Sequence, residues 1–268
     1  MSIITLAEVD AVDEVGPKAL SLALLARQGL PVPPGFCVTQ PQLAALEAPR
    51  FTAELDQALG RLGCSVLAVR SSAADEDGSA RSYAGVFTSV VGVRGVVDDV
   101  CEALRAVRAS AHSDSAVAYR SMLGLRHDVR MAAIVQEMID AEASGVLFTV
   151  HPVTGAPVFL VESAWGLGQS TVAGGASSDR FTLDRTGRVM ERENADKKRM
   201  VRAAVGGGTA IVPVPAERRG VPSLTPGQLE ELAKAGARCE ALLGGPQDIE
   251  WAFTGGRLRI LQSRPVTV

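Results

Sequence analysis

The sequence predicts an α+β fold built on antiparallel sheets. Apolar runs of strand character and amphipathic runs of helical character are mixed along the chain, without the strict alternation that a parallel, doubly wound sheet requires. The C-terminal segment QDIEWAFTGGRLRILQSR reads as a hairpin. With 268 residues and 47% hydrophobic side chains, the chain has core enough for one large domain or two closely packed lobes. The expectation is a single domain over 1–268, with lobes of about 1–128 and 129–268.

The elements follow in order. PKALSLALLARQG (17–29) is a helix: Pro17 suits its first position, the leucines form a stripe, and Gly29 suits its C-terminal cap. PVPPGF then forces an extended connector, and CVT (37–39) a short strand. Residues 40–61 are amphipathic and helical. SVLAVRSS (65–72) is a buried strand entering the polar loop 72–85, and VFTSVVGV (86–93) is a second strand. A long helical pattern covers 95–122. MAAIVQEMI (131–139), SGVLFTV (144–150) and PVFLVESA (157–164) are strands. Residues 180–224 read as looser chain with a basic cluster at Lys197, Lys198 and Arg199. The last helix begins after Thr225 and ends at Gly244.

Composition excludes several classes. Lys+Arg 27 against Asp+Glu 30 gives a net charge of −3, unlike a general polyanion-binding surface, and 4% aromatics argue against base stacking, so no nucleic-acid partner is expected. No apolar run reaches the ~18–20 residues of a membrane span. The acidic opening MSIITLAEVDAVDEV does not resemble a secretory or mitochondrial leader, so a cytoplasmic location is expected. Cys37, Cys64, Cys101 and Cys239 are scattered without CxxC spacing, which makes them reduced packing residues. His112, His127 and His151 are isolated.

The terminal hairpin carries the sharpest chemistry. A two-residue Gly255-Gly256 turn would pair Glu250 with Leu261 and send Gln262 to the opposite face. A three-residue loop Thr254-Gly255-Gly256 instead pairs Glu250 with Ile260 and Asp248 with Gln262. In that register Asp248, Glu250, Gln262 and Arg264 share one face, and Ile249, Trp251 and Leu261 the other. Two carboxylates, an amide oxygen and a guanidinium suit a magnesium–polyphosphate site, although a solvated polar face has the same composition.

Other anion candidates are weaker. Lys18 opens a helix, where amides and the dipole favour a phosphate, but a lysine there is equally suited to water. Arg70 leaves the apolar strand LAVR and needs a partner, either a phosphate or Asp75 and Glu76. Gly85 in SYAG allows a close bend over a ligand, or simply a tight turn. Met138, at the end of VQEMID, suits an adenine edge or the core. No P-loop or GxGxxG fingerprint is present.

Taken together, PKALSLALLARQGLPVPPGFCVT, LAVRSSAADEDGSARSYAGVFTSVVGV, IVQEMIDAEASGVLFTVHPVTG, VESAWGLGQSTVAGGASSDRF and GGPQDIEWAF…GRLRILQSRPVT resemble the N-terminal nucleotide-binding domain of phosphoenolpyruvate synthase, pyruvate phosphate dikinase and rifampin phosphotransferase. The resemblance spans nearly the whole chain. It implies an ATP-grasp-like fold whose two lobes clamp ATP and Mg²⁺. It implies phosphate contacts from Lys18 and Arg70 and a covering loop around Gly85. Gln136, Glu137, Met138 and Ile139 fall at the adenine strand and hinge, and Ser144 and Gly145 at a loop approaching the phosphates. Asp248, Glu250 and Gln262 would hold nucleotide and metal, with Arg264 on the transferred group. Pro17, Gln169 and His151 depart from the family's usual residues. Family members continue into a swivelling domain with a phosphorylated histidine, which is not found after QSRPVT. The expected activity is therefore an ATP-dependent phosphotransferase acting on a small-molecule acceptor. The alternatives are transfer to a histidine on a separate phosphohistidine-domain partner and a non-catalytic nucleotide-binding module.

Overall fold

The computed structural model describes residues 3–10, 12–73, 86–124, 129–168, 177–204 and 206–266. The chain divides into two compact units. The first is Met1–Arg27, Pro33–Met138 and Val205–Gly208; the second is Gln28–Val32, Ile139–Ala204 and Thr209–Val268. The main division falls between Met138 and Ile139, ten residues beyond the expected 128/129 boundary, because the strand Met131–Glu137 pairs inside the first unit.

The first unit holds a five-stranded antiparallel sheet in the order β1 (Ile4–Thr5), β2 (Gly35–Val38), β5 (Met131–Glu137), β3 (Val66–Ala73), β4 (Ser89–Arg94). Period-two alternation gives β3 two different faces. Leu67, Val69 and Ala73 enter a core with Phe51, Leu55 and Leu104 from α3 (Pro49–Leu62) and α4 (Val97–Ser110). Ala68, Arg70 and Ser72 face α1 (Val12–Arg27), in which Gly16 (φ 77°) breaks the helix and Pro17 restarts it. Two expected helices are each split. Residues 40–61 form α2 (Gln40–Ala44) and α3, separated where Pro49 can start a helix but not continue one. Residues 95–122 form α4 and α5 (Asp114–Met122), the latter capped by Ser113, whose hydroxyl accepts from Ala116 N–H at 3.2 Å.

The second unit holds a six-stranded antiparallel sheet. Its order is β13 (Arg257–Pro265), β12 (Gln247–Thr254), β6 (Ala143–Phe148), β7 (Phe159–Trp165), β8 (Asp179–Leu183), β9 (Val189–Glu193). Helix α6 (Pro226–Leu243) covers one face. It approaches closely because Gly236 has no side chain: a Cβ there would lie 2.6 Å from Leu147 Cδ2. Thr225 and Gln228 cap its start reciprocally, and Gly244 (φ 79°) ends it, as the sequence predicts. The segment read as loose contains β8, β9 and the separate hairpin β10 (Arg199–Ala203) and β11 (Thr209–Pro213).

Lys197 is not part of an exposed basic cluster. Its ammonium is buried 2.5 Å from Asp179 Oδ1 and also donates to Ala195 O at 3.0 Å. Asp179 accepts further from Ala195 N, Ser223 N and Ser223 Oγ. Every oxygen of that buried carboxylate is thereby satisfied, and two stretches of chain, 195–197 and the one at Ser223, are fastened to β8. Cys37 and Cys239 are fully buried, which pushes both thiols up to about 12 and makes them inert. Among the described residues no helix is long and apolar enough to cross a membrane.

Candidate functional site

The predicted site residues lie in both units, and each group has its own geometry. In the first unit, Lys18 occupies the first turn after Pro17 and is 7% exposed. Ser72, two residues beyond Arg70 on the same face of β3, fixes this turn. Its hydroxyl donates to Val15 O at 2.5 Å and accepts from Ala19 N–H at 3.3 Å. The serine acts as an N-cap supplied from a distant strand. Gly16 is required for the approach: a Cβ there would meet Ser72 O and Oγ at 2.7 Å. Pro17 therefore does not stiffen the whole entry, because the left-handed turn is made one residue earlier. Gly16→Ala should destabilise the chain by about 2 kcal/mol, since it combines a positive φ with a backbone clash. Urea unfolding with an unchanged midpoint would contradict this.

The strand expected to border the base is β5. Gln136 is buried, and its side-chain amide donates to Pro33 O at 3.0 Å, so it braces the Pro-rich connector. Glu137 continues the ladder opposite Leu67, and its N–H donates to Pro34 O at 2.9 Å. Met138 lies just past the strand, where its sulfur accepts from Gly92 N–H at 3.0 Å. Ile139 is the first residue of the second unit after the strand and is buried. Gly85 lies outside the described residues, as do Asp75, Glu76, His127 and Gln169.

In the second unit the hairpin shows how the charged face is made. Gly255 (φ 55°) and Gly256 (φ 68°) form a two-residue turn joining Thr254 to Arg257, the geometry that fits strand twist. The three-residue loop is thus wrong, and so are the pairs Glu250–Ile260 and Asp248–Gln262. Unaltered, this turn would send Gln262 to the wrong face. A β-bulge at Leu261 inserts one residue and restores the parity, so that Glu250 pairs with Gln262 and Asp248 with Arg264. Ile260, rather than Leu261, takes the buried place opposite Trp251. Asp248, Glu250, Gln262 and Arg264 do share one face, with tighter partnering than the sequence suggested.

Arg264 grips Asp248 through Nε at 2.9 Å and Nη2 at 2.6 Å, both to Oδ2. Burial nevertheless holds the Asp248 carboxyl above the ordinary carboxylate range, with Arg264 opposing that shift and Glu250 adding to it. Ser144 lies on the same face through the pairing of β6 with β12, but its hydroxyl is spent on Gly166 O at 2.5 Å. Gly145 faces the α6 side, where a Cβ would strike Glu162 O at 1.8 Å. Both residues sit inside a strand rather than in a loop.

For a metal, Glu250 and Gln262 offer a carboxylate and an amide oxygen directly across the hairpin, with Asp248 next along β12. Among the described residues no three His, Cys, Asp or Glu side chains gather around one point. This sparse oxygen set fits Mg²⁺, which takes one or two carboxylates and completes its octahedron with water and phosphate oxygens.

Sequence reasoning missed two features. The Ser72 cap was hidden because Ser72 and Ala19 are far apart in sequence. The charged face of β7 to β9 was also missed, because β9 is exposed throughout and carries no apolar alternation.

A sheet face carrying paired acids, an amide and an arginine in register has the composition of a surface for a metal-bound polyphosphate. A family profile described as the pyruvate phosphate dikinase AMP/ATP-binding domain matches residues 45–268, and the chain belongs to that family. It is 35% identical, over 94% of its length, to the prodigiosin synthesizing transferase PigC of Serratia marcescens, covering 31% of that protein. It is 34% identical, over 96% of its length, to a probable phosphoenolpyruvate synthase of Methanothermobacter thermautotrophicus, covering 44% of it. A rifampicin phosphotransferase of Streptomyces sviceus is 34% identical over 99% of this chain and is covered over 36% of its own length. The chain thus spans less than half of each of these relatives. Among solved structures, the D-alanine–D-alanine ligase of Bacillus anthracis aligns over 93% of this chain and 56% of that one, at a TM-score of 0.42 and 14% identity.

Proposed function

We propose that the chain binds ATP with Mg²⁺ and serves an ATP-dependent phosphotransferase, delivering a phosphoryl group to a small-molecule acceptor. The observation that carries this reading is the bulged hairpin, which gathers Asp248, Glu250, Gln262 and Arg264 on one sheet face in a chain of this family. Glu250 and Gln262 would hold Mg²⁺, whose role when bound is to neutralise phosphate charge. Asp248 orients Arg264, and Arg264 meets the charge that develops on the transferred group. Lys18 and Arg70 would add positive charge to the phosphates, and the strand end at Gln136, Glu137, Met138 and Ile139 would border the base. Ser144, Gly145 and Gly85 belong to the same proposal as backbone positions near the nucleotide. Phosphoryl transfer asks mainly for positioning and charge neutralisation, and this residue set supplies both.

A small-molecule acceptor is favoured because one relative bears the name of a drug phosphotransferase. Phosphorus NMR of ATP, Mg²⁺ and candidate acceptors tests this: a new phosphoester resonance is expected. An acid-labile phosphate that forms only with an added phosphohistidine-domain protein would instead establish the carrier route. Nucleotide binding without turnover in either case would leave only a binding module. Glu250→Gln should raise the Mg²⁺ concentration for half-maximal activity about tenfold, or about 1.4 kcal/mol. A metal titration that does not move would remove Glu250 from the metal site.

A further inference from the structure

Beside the hairpin, the exposed face of the second unit's sheet is hollowed into a concavity of about 620 Å³, within the range of small-molecule sites. Asp248 and Arg264 form one end of it. Its floor is apolar, made by Val146, Phe148 and Leu160 from adjacent strands, where the register places them on the same face as Asp248. The far wall is charged. Glu162 and Arg180 face each other across β7 and β8, with Glu191 and Glu193 beyond them on β9.

Both guanidiniums in the lining are engaged by carboxylates. Arg180 meets Glu162 at 2.9 Å and Glu193 at 4.0 Å, and Arg264 meets Asp248 at 2.6 Å. Four carboxylates against two guanidiniums leave the concavity negative. His151 adds a directed polar group. Its Nδ1 accepts from the N–H groups of Val153 at 3.3 Å and Thr154 at 3.2 Å. Those bonds occupy Nδ1 as an acceptor and leave Nε2 as the ring's donor, and His151 lines the concavity.

We infer that this concavity seats the phosphoryl acceptor, and that the acceptor is a neutral or cationic alcohol with an apolar body rather than a carboxylate. The inference rests on the phosphotransferase reading and deepens it. The apolar body lies on Phe148 and Leu160, a hydroxyl or other acceptor atom takes the His151 Nε2–H, and the acidic wall repels anions. Adjacency to Asp248 and Arg264 puts such a molecule next to the groups assigned to the transferred phosphate.

The test uses three probes with one phenylpropyl body: phenylalaninol (cationic), phenylpropanol (neutral) and phenyllactate (anionic). Ligand-observed saturation-transfer NMR on the full chain should give millimolar binding of the first two, at least about tenfold tighter than phenyllactate. Glu191→Lys with Glu193→Lys, both on an exposed edge strand, should reverse the order between phenylalaninol and phenyllactate. Leu160→Trp, which fills the floor, should abolish binding of all three. Equal binding of phenyllactate, an order indifferent to the double lysine variant, or no binding of any probe would overturn the inference. ATP affinity measured on the same preparations separates the two readings. Its absence in the unaltered chain defeats the proposed function, whereas its presence without probe binding defeats only the acceptor site.

Discussion

Replacing Arg264 with alanine should lower phosphoryl turnover by about 10²- to 10³-fold while changing nucleotide affinity by less than about fivefold. That is the signature of a group whose interaction strengthens as charge develops in the transition state. The structure adds a second reason for a large effect. Arg264 is the cation that holds Asp248 Oδ2, and Asp248 is only 7% exposed. Without the guanidinium, a nearly buried carboxyl whose pKa burial already raises would lose its compensating charge. Arg264→Lys keeps a charge but cannot reproduce the two-nitrogen grip, so it should recover only a small part of the turnover. Kinetics and equilibrium nucleotide binding measured side by side decide the matter. Parallel losses in both would make Arg264 a ground-state binder instead.

Lys197→Met should cost about 3–5 kcal/mol of stability, among the largest single-residue effects in the fold. The Asp179 carboxylate would keep its bonds from Ala195 and Ser223 but lose the buried ammonium that balances its charge. The double variant Asp179→Asn with Lys197→Met should recover part of that loss, because no uncompensated charge then remains buried. Chemical denaturation of the three variants gives the comparison. A single-variant effect under about 1 kcal/mol would mean that the pair is open to water in solution.

Much of the local structure was legible in the sequence. The helix starting at Pro17, the strand from Val66, the strand from Met131 and the capped helix ending at Gly244 all carry strong start or stop signals. Proline and serine signals at Pro49 and Ser113 were also present, but the amphipathic periodicity running through them suggested continuous helices. The strands between Asp179 and Pro213 were obscured because several are short and solvent-exposed, with little apolar alternation to mark them.

At the site, the division between sequence and tertiary structure comes down to pairing. The sequence by itself determined which residue types stand at even steps along β12 and β13, and so that Asp248 and Glu250 share a face, as do Gln262 and Arg264. Whether those two pairs face the same way depends on the parity of the whole hairpin. Only the tertiary structure decided that, through a tight glycine turn corrected by a bulge at Leu261. The physical reason is that a bulge leaves no local composition signal: it is selected by burying Ile260 against the core while Gln262 and Arg264 stay on the charged face. Ser72 capping the helix of Lys18 has the same origin, since a contact between distant segments is fixed by packing and not by the neighbours of either residue.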